Sequence, residues 1–135
     1  MTQRRLIDTN VIVRHLVQDH ERLSGQASRL FAASDRGELT LVVLPAVLAE
    51  CAFILESFYE HPRAQIAHVL KSLIGSPGIE LSDLPIHLDA LNRYGRTQFH
   101  IVDCMLAATA AAERLPLATF DRDFKTFRDV TVDVS

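Results

Sequence analysis

"RRLIDTNVIV", residues 4–13, puts a carboxylate at the junction of two apolar elements. Leu6 and Ile7 read as the end of a strand about to be buried, and Val11–Val13 as the first turn of a packed helix. Asp8 stands between them. If the strand belongs to a parallel α/β sheet, Asp8 sits beyond a carboxyl end, where such sheets bind ligands.

The same alternation continues along the chain. "RRLID" is a first strand, "NVIVRHLVQ" a short helix, and "HERLSGQASRLFAASDRG" a second helix ending near Gly37. "LTLVVL" is a second strand, after which Pro45 suits the first turn of the helix "AVLAECAFILESFY". Pro62 opens "PRAQIAHVLKSLI", closed by "GSPG"; "IELSD" is a short third strand, followed by the helices "PIHLDALNRYGRTQ" and "IVDCMLAATAAAERL". "LPLATF" is a fourth strand and "DVTVDV" a fifth. Strands separated by helices imply parallel pairing through right-handed crossovers. The expected fold is an α/β/α three-layer sandwich with a central parallel sheet of four to five strands, one domain over residues 1–135.

Composition narrows the class. The chain is 48% hydrophobic and 23% charged, ordinary for a globular protein. No apolar run approaches the roughly 18 residues that span a bilayer, so no membrane association is expected. "MTQRRLID" lacks the apolar core of a secretory signal, which makes the cytoplasm the expected location. Cys51 and Cys104 have no metal-type spacing and read as small core hydrophobes. The net charge of −3 does not announce nucleic-acid binding, although a cluster of cation-holding acids would bias that total. Twelve of the 14 basic residues are arginines, which suit bidentate phosphate contacts.

Asp8 has companions. "LATFDRDF" puts Asp121 immediately past the fourth strand, with Asp123 two residues later. If strands one and four are neighbours, these acids share a rim with Asp8. Between Ile101 and Ala112 the only charge is Asp103, in a helix apolar or small nearly all round and therefore expected to be buried. An unpaired buried carboxylate is costly, although the helix dipole favours an acid in the first turn. In the Pro45 helix, Val47, Cys51, Ile54 and Phe58 are expected to share the buried face. Glu50 then falls roughly 60° from Val47, at the edge of that face, while Glu56 projects to solvent. Taken singly, Glu50 reads as a boundary acid. Four such acids in one cleft would repel unless a cation were shared. Oxygen-only ligands favour Mg²⁺ or Mn²⁺, and such an ion can orient a water against a phosphoryl group.

Together, "LIDTNVIVRHL", "PAVLAE", "HIVDCMLAATAA" and "LATFDRDF" resemble the PIN-domain ribonucleases, most closely the VapC-type toxins of toxin–antitoxin pairs. The resemblance covers almost the whole chain. It implies Mg²⁺- or Mn²⁺-dependent cleavage of RNA, with the family's acids at Asp8, Glu50, Asp103 and Asp121 and an auxiliary acid at Asp123. It implies that Asp8, Asp103 and Asp121 hold the principal ion and that Glu50 positions a second ion or the attacking water. Thr9, Asn10 and Thr119 are expected to support the site, with N-capping a parallel role for Asn10. The resemblance also implies a homodimer and a cognate antitoxin that inhibits by placing an arginine among the carboxylates. The helices "NVIVRHLVQ" and "AVLAECAFILESFY" carry more apolar surface than a monomer requires. Arg14, Arg122 and Lys125 lie near the acidic motifs and are candidate RNA contacts. Cys104 after the third acid and His100 upstream of it depart from the usual pattern, which leaves the metal ligands intact and bears on substrate contacts.

Three other classes remain. One is a PIN-type module that binds RNA without cutting it. Another is a phospho-acceptor receiver domain, which needs a lysine after a late strand; the only lysines, Lys71 and Lys125, follow no clear strand. A "DxD" phosphatase is disfavoured because Asn10 stands where the second acid belongs.

Overall fold

The Asp8 backbone is extended, with φ −95° and ψ 176°, and its Oδ1 accepts the Val11 N–H at 3.2 Å. The carboxylate therefore caps the helix that follows it, satisfying one of the donors a helix start leaves open. These geometries come from a computed structural model that describes residues 2–133; Val134, expected in the last strand, lies outside the described residues. The elements are β1 (Gln3–Leu6), α1 (Thr9–Val17), α2 (Glu21–Asp35), β2 (Leu39–Val42), α3 (Pro45–Ser57) and α4 (Arg63–Ile74). Then come β3 (Ile79–Glu80), α5 (Leu84–Arg96), α6 (Ile101–Glu113), β4 (Leu117–Ala118), a 3-10 helix (Arg122–Thr126) and β5 (Val132–Asp133).

All strand pairs are parallel, and the α/β sandwich class is as expected. The order is β1-β2-β3, with Leu6 opposite Val42 and Val42 opposite Glu80. β4 pairs with β5, Leu117 opposite Val132, and among the described residues no ladder joins β4 to β1. The expected neighbourhood of strands one and four is therefore not a hydrogen-bonded one, and Leu6 of β1 is 68% exposed. The segment after the 3-10 helix is tied to α5. There Asp129 accepts from Arg93 Nη1 at 2.9 Å, while Arg93 Nε donates to Asp89 at 3.0 Å.

The main core gathers Ile12, Leu41, Val43, Leu48, Leu55, Ile66, Leu70, Leu91 and Tyr94, each large side chain contributing about 1.5–3 kcal/mol on burial. β2 shows the alternation of a one-sided strand, with Leu39 and Leu41 buried and Thr40 and Val42 half-buried. α5 packs against both α4 and α6. The contact with α4 needs Gly95, where an added Cβ would stand 2.9 Å from the Ala67 Cβ. A second, smaller core joins Ala107 and Ala110 of α6 to Phe124, Phe127 and Val130.

Two helices differ from expectation in which face they bury. α3 buries Leu48, Cys51, Ala52 and Leu55, leaving Val47 and Ile54 on its flank and Phe58 76% exposed. α6 is not buried all round. Ala107, Ala108, Ala110 and Cys104 turn inward, where small side chains permit close helix approach, and Val102 and Leu106 face solvent at 55% and 45% exposure. The surplus apolar surface accordingly lies on α3 and α6, and α1 has no large exposed apolar side chain among the described residues.

Candidate functional site

Thr9, the first residue of α1, is buried, and its hydroxyl donates to Glu50 Oε1 on α3. Because Asp8 caps α1 from the preceding position, this bond ties the Asp8 turn to the Glu50 helix. Cys51 lies beneath both: its Sγ approaches the Thr9 carbonyl at 4.0 Å. Burial chiefly, then the charges of Glu50 and Asp8, push the Cys51 thiol up to about 12. Asp8 and Glu50 thus act on one buried point from two elements.

Glu50 also lines a cavity of about 530 Å³ together with Asp103, so α3 and the start of α6 present these two carboxylates to one space. Asp103 lies half-buried in the first turn of α6. Burial pushes the thiol of its neighbour Cys104 up to about 11, with Asp103 adding to the rise. Both cysteines are free and buried, as expected of core residues.

Asp121 and Asp123 are exposed beyond β4. Asp121 caps the 3-10 helix by accepting the Asp123 N–H at 2.9 Å, and its own N–H donates to Thr119 Oγ1 at 3.0 Å. Thr119 therefore supports Asp121 through its hydroxyl. Asn10 is not the helix cap, a role Asp8 fills; Asn10 lies inside the first turn and lines a cleft with Asp8 and Arg14. Arg14 is paired with Asp19 at 3.0 Å, whereas Arg122 and Lys125 are exposed on the 3-10 helix. His100 precedes α6 without a side-chain capping bond and lines the Asp103 cavity.

The donor set suits a hard divalent cation in kind. It is all carboxylate, and among the described residues none of Asp8, Glu50, Asp103 and Asp121 is ion-paired with Arg, Lys or His. In position, Thr9 links the Asp8 turn to Glu50, and Glu50 and Asp103 line one cavity, whereas among the described residues Asp121 bonds only within its own segment, its N–H to Thr119 and its side chain to Asp123. Among the described residues no three His, Cys, Asp or Glu side chains are close enough to hold a metal ion.

A family model of the PIN domain matches residues 5–130. The chain belongs to the PIN domain family. It is also similar to a VapC ribonuclease of Aquifex aeolicus (strain VF5), 25% identical over 130 residues, which make up 96% of each chain. The PIN match runs from β1 to the end of the second core and so contains all four acids.

Sequence reasoning missed the network inside the cavity. Glu56 is not a free surface acid: Oε1 accepts from Tyr94 Oη at 2.5 Å and from Arg63 Nη1 at 2.9 Å. Arg63 also donates to the Tyr94 and Phe99 carbonyls and lies 3.8 Å from the Tyr94 ring centre. The Tyr94 bond chiefly, then Arg63, holds the Glu56 carboxyl below its ordinary range. The only signal in the chain was an arginine beside the Pro62 helix start, too far from Tyr94 in sequence to connect by periodicity.

Proposed function

We propose that the chain is a divalent-metal-dependent ribonuclease of the VapC type, a single PIN domain over residues 1–135 that acts as the toxin of a toxin–antitoxin pair. The observation that carries this reading is the Thr9 bond that ties the Asp8 turn to Glu50, with Asp103 lining the same cavity as Glu50 and no basic side chain neutralising any of these acids among the described residues. The likeness to a VapC ribonuclease supports it.

Asp8, Asp103 and Asp121 would hold Mg²⁺ or Mn²⁺, with Glu50 beside them and Asp123 auxiliary. Such an ion, when bound, supplies charge neutralisation and an oriented water for attack on a phosphodiester. The chain's own residues prepare that role. Asp8 keeps Oδ2 free while Oδ1 caps α1, and Thr9 fixes the Glu50 carboxylate. The Asp123 N–H and the Thr119 hydroxyl orient Asp121. Arg122 and Lys125 are the cations offered to RNA phosphates, with Arg14 released to them from Asp19.

The partners proposed are RNA, a cognate antitoxin that places an arginine among the carboxylates, and a second copy of the chain covering Phe58 and Leu106. Among the described residues no helix is long and apolar enough to cross a membrane, and residence in the cytoplasm is part of the proposal. The decisive experiment maps RNA ends after brief exposure to wild type and to Asp8→Ala. New ends that vanish with the folded variant are expected; undiminished cleavage by Asp8→Ala overturns the reading. A second reading, an RNA-binding PIN module without turnover, is favoured by the lack of a three-acid cluster among the described residues. RNA binding with no cleavage in Mn²⁺ would select it.

A further inference from the structure

The geometry points to a nucleobase-binding subsite in the cavity between α3 and the start of α6, with Phe53 as the stacking platform. This rests on the nuclease reading for its substrate, although not for its physical basis. Phe53 is 65% exposed, although it belongs to a helix whose other face is core. It lies three residues after Glu50, about 4.5 Å along the helix axis and on the same side. Val102, the residue before Asp103, is also exposed on the cavity wall. Glu50 and Asp103 therefore each stand near an exposed apolar side chain in sequence, Phe53 and Val102.

The lining decides what kind of group fits. Arg63 is consumed by Glu56 and two carbonyls, so the cavity offers no free guanidinium to a phosphate. Glu56 is in turn neutralised by Arg63 and Tyr94. Besides the two carboxylates Glu50 and Asp103, which repel a second anion and leave the phosphate outside, the polar groups left over are Ser57, Gln98 and His100, whose side chains enter none of the hydrogen bonds among the described residues. A hydroxyl, an amide and an imidazole can each donate or accept. A neutral planar ring with donors and acceptors on its edge matches this set, and unstacked bases of single-stranded RNA are read by stacking and edge bonding of this kind. A duplex cannot present such a base without unpairing it. The subsite accordingly selects single-stranded segments and places one base beside Glu50 and Asp103.

The test uses the full chain. It has no tryptophan, so Phe53→Trp introduces a single indole at the platform. In an Asp8→Asn background with Mg²⁺, a short single-stranded RNA should quench that indole. Copies of the oligonucleotide carrying one abasic position should bind equally well except at one position, where affinity falls about tenfold to a hundredfold. Phe53→Ala should lose a similar factor for the intact RNA and become indifferent to the abasic position, and Phe53→Tyr should restore both. Equal affinity for the intact RNA and every abasic copy, or wild-type affinity in Phe53→Ala, overturns the subsite. So does an indole that ignores RNA but shifts with protein concentration, which would mark the cavity as a protein contact. Base-dependent quenching in a protein whose wild type cuts no RNA leaves the subsite standing and removes the nuclease reading. Cleavage that is indifferent to Phe53→Ala removes the subsite alone.

Discussion

Replacing Thr9 with valine removes one hydroxyl and leaves the shape of the side chain almost unchanged. Thr9 is 6% exposed, so the new methyl enters space already enclosed by protein. The loss is the bond to the Glu50 carboxylate. A hydrogen bond to a charged group is worth about 1.5–3 kcal/mol net, and the exposed Glu50 can recover part of it from water, so about 1.5 kcal/mol is expected. For a chain of this length that is a fall in Tm of roughly 3–6 °C. The assay is a double-mutant cycle of Thr9→Val and Glu50→Ala, which removes the acceptor, by thermal or urea unfolding, with Thr9→Ser as the control that keeps the hydroxyl. Coupling of about 1 kcal/mol between the two positions is expected, with RNA cleavage falling in Thr9→Val and returning in Thr9→Ser. Zero coupling with an unchanged rate would refute the claim that this bond registers α1 against α3.

Asp8→Asn keeps a capping side chain and removes the charge, so stability should hold to within about 0.5 kcal/mol while cleavage disappears; retained cleavage would show the charge to be unnecessary. Dialysis against EDTA should abolish cleavage, and added Mg²⁺ or Mn²⁺ should restore it; activity that survives EDTA would refute metal dependence. Tyr94→Phe removes the leading cause of the depressed Glu56 pKa. A depressed carboxyl stabilises the fold above its ordinary value of 4.5 and loses that contribution as pH falls through the folded value. The deficit of Tyr94→Phe relative to wild type should therefore be full at neutral pH and shrink in acid, and a deficit that grows below pH 4.5 would contradict the assignment. Arg93→Met should cost about 2 kcal/mol, because two hydrogen-bonded partners are lost while the stem is replaced. The loss should appear first as faster amide exchange around Phe127 and Val130, and uniform exchange would refute a local role.

The readable parts of the sequence were those governed by nearest neighbours. Asp8 between two apolar runs announced both a strand end and a helix start, and the helices at Pro45 and Ile101 began where those residues stand. Periodicity was less informative where a helix has apolar residues on more than one side. In α3 the chain offers two faces of similar hydrophobicity, and the one packed against α1, α4 and α6 carries Leu48, Cys51 and Leu55 rather than Phe58. In α6 side-chain size, not polarity, decides which side is inward. The seating of Phe124 on α6 and the pairing of β4 with β5 depend on partners that no local window contains. The Glu56–Tyr94–Arg63 network joins residues 31 and 38 positions apart, so a solvent-facing acid was the natural reading of Glu56.

The division of the strands into three and two has a functional corollary. Asp121 belongs to the smaller unit, which rests on α6 through Phe124 and Phe127 and on α5 through Arg93. A unit with few apolar contacts opens at lower free energy than the body it rests on. On the proposed function, warming would then extinguish RNA cleavage while the helical signal persisted, with Asp121 carried away on a reversible flap. Thermal fitness of such a molecule would be set by the aromatic rings that seat this segment, Phe124 and Phe127, and selection for heat tolerance would act there before it touched the acids.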